Sequence, residues 1–194
     1  GDFWLVYLNE CVPTDEICNS LDDNCNGLID DGITVEISIA ADGPTTICQG
    51  NTVVLTATHT GSTLQWKKNG VNIPGATAST YTTGIKGTYS CVASSDCDAD
   101  TSANIVVVVN KNPSASISAG GPTSFCAGGS VTLTETPSGG CTYQWYKGAA
   151  PIAGATGLSY VATTAGNYKC RVTKAATGCF KNSNSIAVFI TCKE

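Results

Sequence analysis

The segment from Asp15 to Gly32 concentrates the side chains in this sequence best suited to hold a hard cation. Asp22, Asn24 and Asn26 alternate along it, Gly27 permits a sharp turn, Leu28 can offer its carbonyl, and Asp30 and Asp31 follow. Oxygen-rich loops deliver ligands to Ca2+ in this order. The twelfth position of such a loop falls on Ile33 instead of Glu, so Asp31 or Glu16 has to supply the missing carboxylate. Two of the expected acids are amides, which lowers the ligand charge and predicts weak binding, on the order of 10⁻⁴ to 10⁻³ M. A Cys18 to Cys25 bridge would close and preorganise the loop. The competing reading is a solvated acidic turn without metal, but turn residues alone rarely recur at this spacing.

The remaining candidates for chemistry are weak. His59 is the only histidine, set among Thr58, Thr60 and Gly61, and has no nucleophile or carboxylate beside it in sequence. No serine sits in a G-x-S-x-G elbow. The chain reads as a non-enzyme.

Eleven cysteines in 194 residues, spaced unlike a zinc ribbon, imply an oxidising compartment and a disulfide framework. No apolar run approaches the ~20 residues of a membrane helix. Residues 1 to 32 carry eight acids (Asp2, Glu10, Asp15, Glu16, Asp22, Asp23, Asp30 and Asp31) and no base; residues 115 to 194 set six bases against Glu135 and Glu194. The bases are too scattered for a nucleic-acid footprint. An extracellular or cell-surface location is expected.

The elements that position these residues are written twice. ICQGNTVVLT, LQWKKNGVNIPGATASTY and GTYSCV in residues 33 to 110 are answered by FCAGGSVTLT, YQWYKGAAPIAGATGLSY and GNYKCR in residues 115 to 194. Short alternating runs bounded by Gly, Pro and Asn predict antiparallel strands near 33–40, 52–58, 63–68, 79–83, 87–94 and 103–109 in the first copy. In the second they fall near 115–118, 130–136, 142–147, 158–162, 166–173 and 184–191. Asn69-Gly70 is a type I′ hairpin signal.

Trp66 and Trp145 fall in each third strand, and Tyr89 and Tyr168 lie two residues before Cys91 and Cys170. This pattern resembles the immunoglobulin sandwich, with a Trp on strand C and a tyrosine corner on strand F. It implies an all-β chain: two tandem immunoglobulin-like sandwiches at 33–110 and 115–194, joined by a linker at 111–114. They follow an apolar strand at 1–10 and an acidic loop at 11–32. The strand B positions opposite the two F-strand cysteines are Ala57 and Glu135, so Cys48 and Cys126 become the nearest partners for Cys91 and Cys170, and Cys141 with Cys179 a second bridge in the later copy. Glu135 has an inward parity and is expected to reach water at a frayed strand end before Pro137.

The motifs C-x-G-x-[ST]-V-x-L-T, YQWYK, I-x-GAT and GxY resemble the immunoglobulin-like repeats strung along bacterial secreted and surface proteins. That resemblance implies a spacer or adhesive module without catalytic residues. Glu16, Cys18, Asn19, Asp22, Asp23, Asn24, Cys25, Asn26, Gly27, Asp30, Asp31 and Gly32 match a MopE-type metal-binding motif, and Ser20 departs from its usual Gly. The family label implies copper, yet hard oxygen ligands and oxidised sulfur favour Ca2+.

Phe3, Trp4, Leu5, Val6 and Tyr7 form an unpartnered apolar strand resembling the closing strand of a propeller-type repeat, the remnant of a preceding domain or a strand that adds to another sheet. Cys11 is a partner for Cys97, and Cys192 is left over. An acidic head, a basic tail, a stray strand and a spare cysteine suit head-to-tail association. The expected role is a structural subunit or segment of an extracellular bacterial fibre or stalk. An adhesin module binding a surface glycan or protein, attached to a larger secreted protein or enzyme, is the alternative.

Overall fold

The computed structural model describes residues 15–191. The N-terminal strand with Phe3, Trp4, Leu5, Val6 and Tyr7, together with Cys11 and Cys192, lies outside the described residues. The chain divides into two units, one holding the chain up to Ile47 with Asn51–Val108, the other Cys48–Gly50 with everything from Val109 on.

Among the described residues, nine strands belong to the first copy: β1 (Ile37–Ala41), β2 (Thr46–Cys48), β3 (Val53–His59), β4 (Thr63–Lys68), β5 (Val71–Asn72), β6 (Thr80–Thr83), β7 (Gly87–Ser94), β8 (Ala99–Thr101) and β9 (Ile105–Asn110). Nine more repeat the plan: β10 (Ile117–Ala119), β11 (Ser124–Phe125), β12 (Val131–Glu135), β13 (Cys141–Lys147), β14 (Ala150–Pro151), β15 (Ser159–Ala162), β16 (Gly166–Lys174), β17 (Phe180–Asn182) and β18 (Ile186–Ile190). In the first copy one sheet runs β1-β3-β6 and the other β2-β9-β7-β4-β5, with β8 added to β7. The second copy repeats both sheets as β10-β12-β15 and β11-β18-β16-β13-β14, with β17 added to β16. The chain is all-β, and each copy is an immunoglobulin-like sandwich. Six strands of each copy, β1, β3, β4, β6, β7 and β9 and then β10, β12, β13, β15, β16 and β18, lie where the alternation places them; β2, β5, β8, β11, β14 and β17, of two or three residues, carry no readable period. Strand β1 starts at Ile37 instead of 33, since the backbone before it is held by side chains.

Each core is the inward half of an alternating pattern. Trp66, Tyr89, Cys91, Leu55, Ala93 and Val107 are buried in the first copy. Trp145, Tyr168, Cys170, Leu133, Val172 and Val188 take the same roles in the second. A buried indole needs a partner for its N–H. Trp66 Nε1 donates to the Ala78 carbonyl and Trp145 Nε1 to the Gly157 carbonyl, both at 2.9 Å. Tyr89 Oη donates to the Ile85 carbonyl and Tyr168 Oη to that of Thr164, both at 2.8 Å, which are the two tyrosine corners. The I-x-GAT motif recurs because it satisfies the tryptophan backbone. Trp66 N donates to Ala76 O and Ile73 N to Trp66 O, with Trp145, Ala155 and Ile152 repeating both bonds at the same 2.9 Å. Asn69 and Gly70 have φ of 51° and 79°, as the type I′ turn requires.

The sulfur pairing corrects the sequence expectation at every predicted bridge. Cys18 is bonded to Cys97 rather than Cys25, and Cys48 to Cys179 rather than Cys91, which leaves Cys141 without its expected partner. Cys91, Cys141 and Cys170 are free thiols, while Cys25 and Cys126 are disulfide-bonded. The reason is sheet order. Cys48 on β2 is separated from Cys91 on β7 by β9, and Cys126 follows β11, separated from β16 by β18. Two strand spacings come to roughly 9.5 Å, beyond the reach of a disulfide. Glu135 is a second correction. It is fully buried, not frayed into water.

Candidate metal centre

Segment 15–32 has no strand; its shape is set by carboxylates accepting backbone N–H groups. Glu16 spans the loop, taking Asn24 N at 3.1 Å on Oε2 and Asp30 N at 3.0 Å on Oε1. Asp30 closes the first turn, accepting Asn19 N at 2.9 Å and Ser20 N at 3.0 Å on Oδ1. Ser20 has φ of 64°, in the left-handed region that glycine adopts most readily. Glu16 and Asp30 therefore act as structural clamps on the backbone of the loop.

The second turn gathers the remaining oxygens. Asp22 accepts Asn26 N at 3.1 Å and Gly27 N at 2.9 Å. Asn24 Oδ1 accepts Asn26 N at 3.0 Å, and Asn26 Oδ1 accepts Leu28 N at 2.8 Å. Gly27 turns with φ of 93°. Asp31 reaches back across the turn, its carboxylate accepting Asn24 Nδ2 at 3.2 Å and Asn26 Nδ2 at 3.0 and 3.1 Å. Of the residues singled out from sequence, Asp22, Asn24, Asn26 and Asp31 converge on one turn. Asp30 points to the other, and Leu28 shares the turn through its N–H.

The donor set suits a hard cation: two carboxylates, two carboxamide oxygens and a preset turn. It does not suit a soft one. Cys18, Asp30 and Cys97 come together, but the two sulfurs are bonded to each other, so no thiolate is on offer.

One loop of the first sandwich holds the segment; the sequence pointed to its Cys97 as an anchor for the N-terminal part of the chain, but through Cys11 instead of Cys18. Cys97 binds Cys18; Asp98 Oδ2 accepts Val35 N at 2.7 Å and Asp100 Oδ2 accepts Ile37 N at 3.3 Å. The spacing Cys97, Asp98, Asp100 is legible only once β8 is known to lie beside the incoming chain. His59, which was given no role, turns Nδ1 to the Gly61 carbonyl at 2.7 Å.

No family model and no curated protein matches this chain. Solved structures similar to it include the human OSCAR ligand-binding domain, at 16% identity over 78% of this chain and 97% of that one, with a TM-score of 0.35. Murine CEACAM1b is 16% identical over 80% of this chain and 100% of its own, TM-score 0.37. The three N-terminal domains of the bacteriophage RB49 outer capsid protein Hoc are 18% identical over 81% and 59%, TM-score 0.37.

Proposed function

We propose that this chain is a non-catalytic structural segment of an extracellular bacterial fibre or stalk, associating head to tail and binding Ca2+ weakly through Asp22, Asn24, Asn26 and Asp31. The observation that carries the reading is the fastening of the acidic loop to the first sandwich by the Cys18–Cys97 bond. A flexible acidic tail would need no such clamp, whereas a load-bearing joint does. The buried cores of both copies are built for shape: aromatic ladders Trp66–Tyr81–Tyr89 and Trp145–Tyr160–Tyr168 with ring centroids 5.6 to 5.9 Å apart. Disulfides fit an oxidising, extracellular compartment. Among the described residues no helix is long and apolar enough to cross a membrane. When bound, Ca2+ would neutralise the paired carboxylates and stiffen the loop; the chain's own part is to hold the oxygens in place.

The test is size-exclusion chromatography and electron microscopy of the full chain with Ca2+, with chelator, and at high salt. Concentration-dependent linear assemblies are expected in Ca2+ at low salt. A strict monomer at high concentration in every condition would sink the proposal. The alternative, an adhesin module for a surface glycan or protein, draws support from exposed Phe180 and Phe189, and a glycan array distinguishes it.

A further inference from the structure

The second sandwich carries a feature that its otherwise matching copy lacks. On β16, Tyr168, Cys170 and Val172 point into the core, so Lys169 and Arg171 stand on the outer face of the sheet, roughly 7 Å apart. Beside them Tyr146 pairs with Lys169, Asn182 with Arg171 and Phe180 with Thr173 across the neighbouring strands. The Arg171 guanidinium lies 5.1 Å from the Tyr146 ring centroid and 4.4 Å from that of Phe180, and Lys169 Nζ is 5.9 Å from Tyr146. Arg171 Nε donates to Asn182 Oδ1 at 3.4 Å. Among the described residues neither cation has a carboxylate partner. In the first copy the same register positions are Lys67, Ser90, Val92, Ala99 and Thr101, so no cation stacked between rings is built there. The shared fold does not require this face.

Its chemistry selects a carboxylate ligand. Both rings have a cation over them, which leaves no open platform for a sugar, whereas the Arg171 guanidinium, its Nε turned to Asn182, offers its terminal N–H groups for hydrogen bonds to carboxylate. The matching surface is on the same chain. Segment 15–32 carries six acids and no base; Glu16 and Asp30 hold the backbone and Asp22 and Asp31 belong to the candidate cation turn, so exposed Asp15 is the acid placed to meet the guanidinium edge, and beside it the segment exposes Ile17, Leu21, Leu28 and Ile29 at 59 to 64% each. Four exposed aliphatic side chains in so short a stretch mark an interaction site. Phe180, 49% exposed, gives the cationic face its apolar counterpart.

We propose that the acidic, aliphatic loop 15–32 of one copy docks on the Tyr146–Lys169–Arg171–Phe180 face of a second copy. This rests on the head-to-tail reading above and names its two surfaces. Because the surfaces differ, the contact is heterologous and propagates.

Sedimentation velocity over a concentration series, in Ca2+ at low salt, tests it with two variants of the full chain. Lys169→Gln with Arg171→Gln spoils the face and spares the loop; Leu28→Ser with Ile29→Ser spoils the loop and spares the face. Each is expected to associate at least about tenfold more weakly than the parent. An equimolar mixture of the two is expected to stop at a dimer, since only one competent pair of surfaces remains. Far-ultraviolet circular dichroism confirms that both variants keep the strand content. If the parent associates and either variant does so equally well, this docking is overturned and the fibre reading stands. If the variants fail alone but the mixture stays monomeric, the pairing of these two surfaces is likewise overturned. If the parent never associates, both readings fall. If the parent binds an acidic glycan through this face instead of itself, the adhesin alternative replaces this one.

Discussion

The disulfide between Cys18 and Cys97 joins residues 79 apart in sequence, with Cα atoms 5.9 Å apart. It converts an acidic segment with no strand of its own into an appendage of the first sandwich. Cys97→Ser is expected to lower the stability of the first unit by about 2 to 4 kcal/mol, by freeing a long loop in the unfolded chain. Urea denaturation of the full chain checks this, and an unchanged midpoint would show the bond is idle. Amide exchange in residues 15–32 should accelerate far more than in β12, β13 and β16.

Removing Ca2+ should act locally. Chelation is expected to speed proteolysis within residues 19–31 and leave both sandwiches protected. Asp31→Asn and Asp22→Asn should each weaken Ca2+ by about tenfold or more in titration calorimetry, because each removes one of only two carboxylates from the converging set. Asp30→Asn should matter less to the metal and more to the turn at Asn19 and Ser20. A stronger metal effect from Asp30 than from Asp31 would assign the ligands differently.

The three free thiols among the described residues should separate by reactivity. Cys91 and Cys170 are fully buried, and Cys141 is partly exposed. Burial pushes the Cys91 thiol up from its ordinary value. Burial first, and then the Glu135 carboxylate beside it, push Cys170 up to about 11. Iodoacetamide at pH 8 is expected to label Cys141 in the native protein, and Cys91 and Cys170 only after unfolding; mass spectrometry of the peptides reads it out. Native labelling of Cys170 would contradict the packing.

The same shift has a consequence for stability. A thiol held protonated in the fold favours the native state fully below its unfolded value near 9, and that contribution is lost as pH rises toward about 11. The second unit should therefore soften through this window. Glu135→Gln removes the neighbouring charge and should bring the Cys170 pKa down, leaving the part due to burial. Thermal melts from pH 8 to 11 compare the two proteins, and identical profiles would remove Glu135 from the account.

The tyrosine corners offer a paired test. Tyr89→Phe deletes a bond to the Ile85 carbonyl and one shared with Thr83 Oγ1 at 2.7 Å; Tyr168→Phe deletes the equivalents at Thr164. Each should cost about 1 to 2 kcal/mol. A cost confined to one copy would show that the two corners are not equivalent.

The sequence alone determined the doubled sandwich, because alternation, Trp66 with Trp145, Tyr89 with Tyr168 and the Asn69-Gly70 turn are local signals whose physics needs no distant partner. It also determined which oxygens could meet, since Asp22, Asn24 and Asn26 are neighbours on one turn. Only the tertiary structure decided the sulfur bridges, because a disulfide depends on which strands lie between two cysteines, and β9 and β18 stood in the way of the obvious pairs. Tertiary structure likewise turned Glu16 and Asp30 into clamps, buried Glu135, and stacked Arg171 between Tyr146 and Phe180. Each depends on side chains from separate strands or turns meeting in space, a relation that spacing along the chain does not encode.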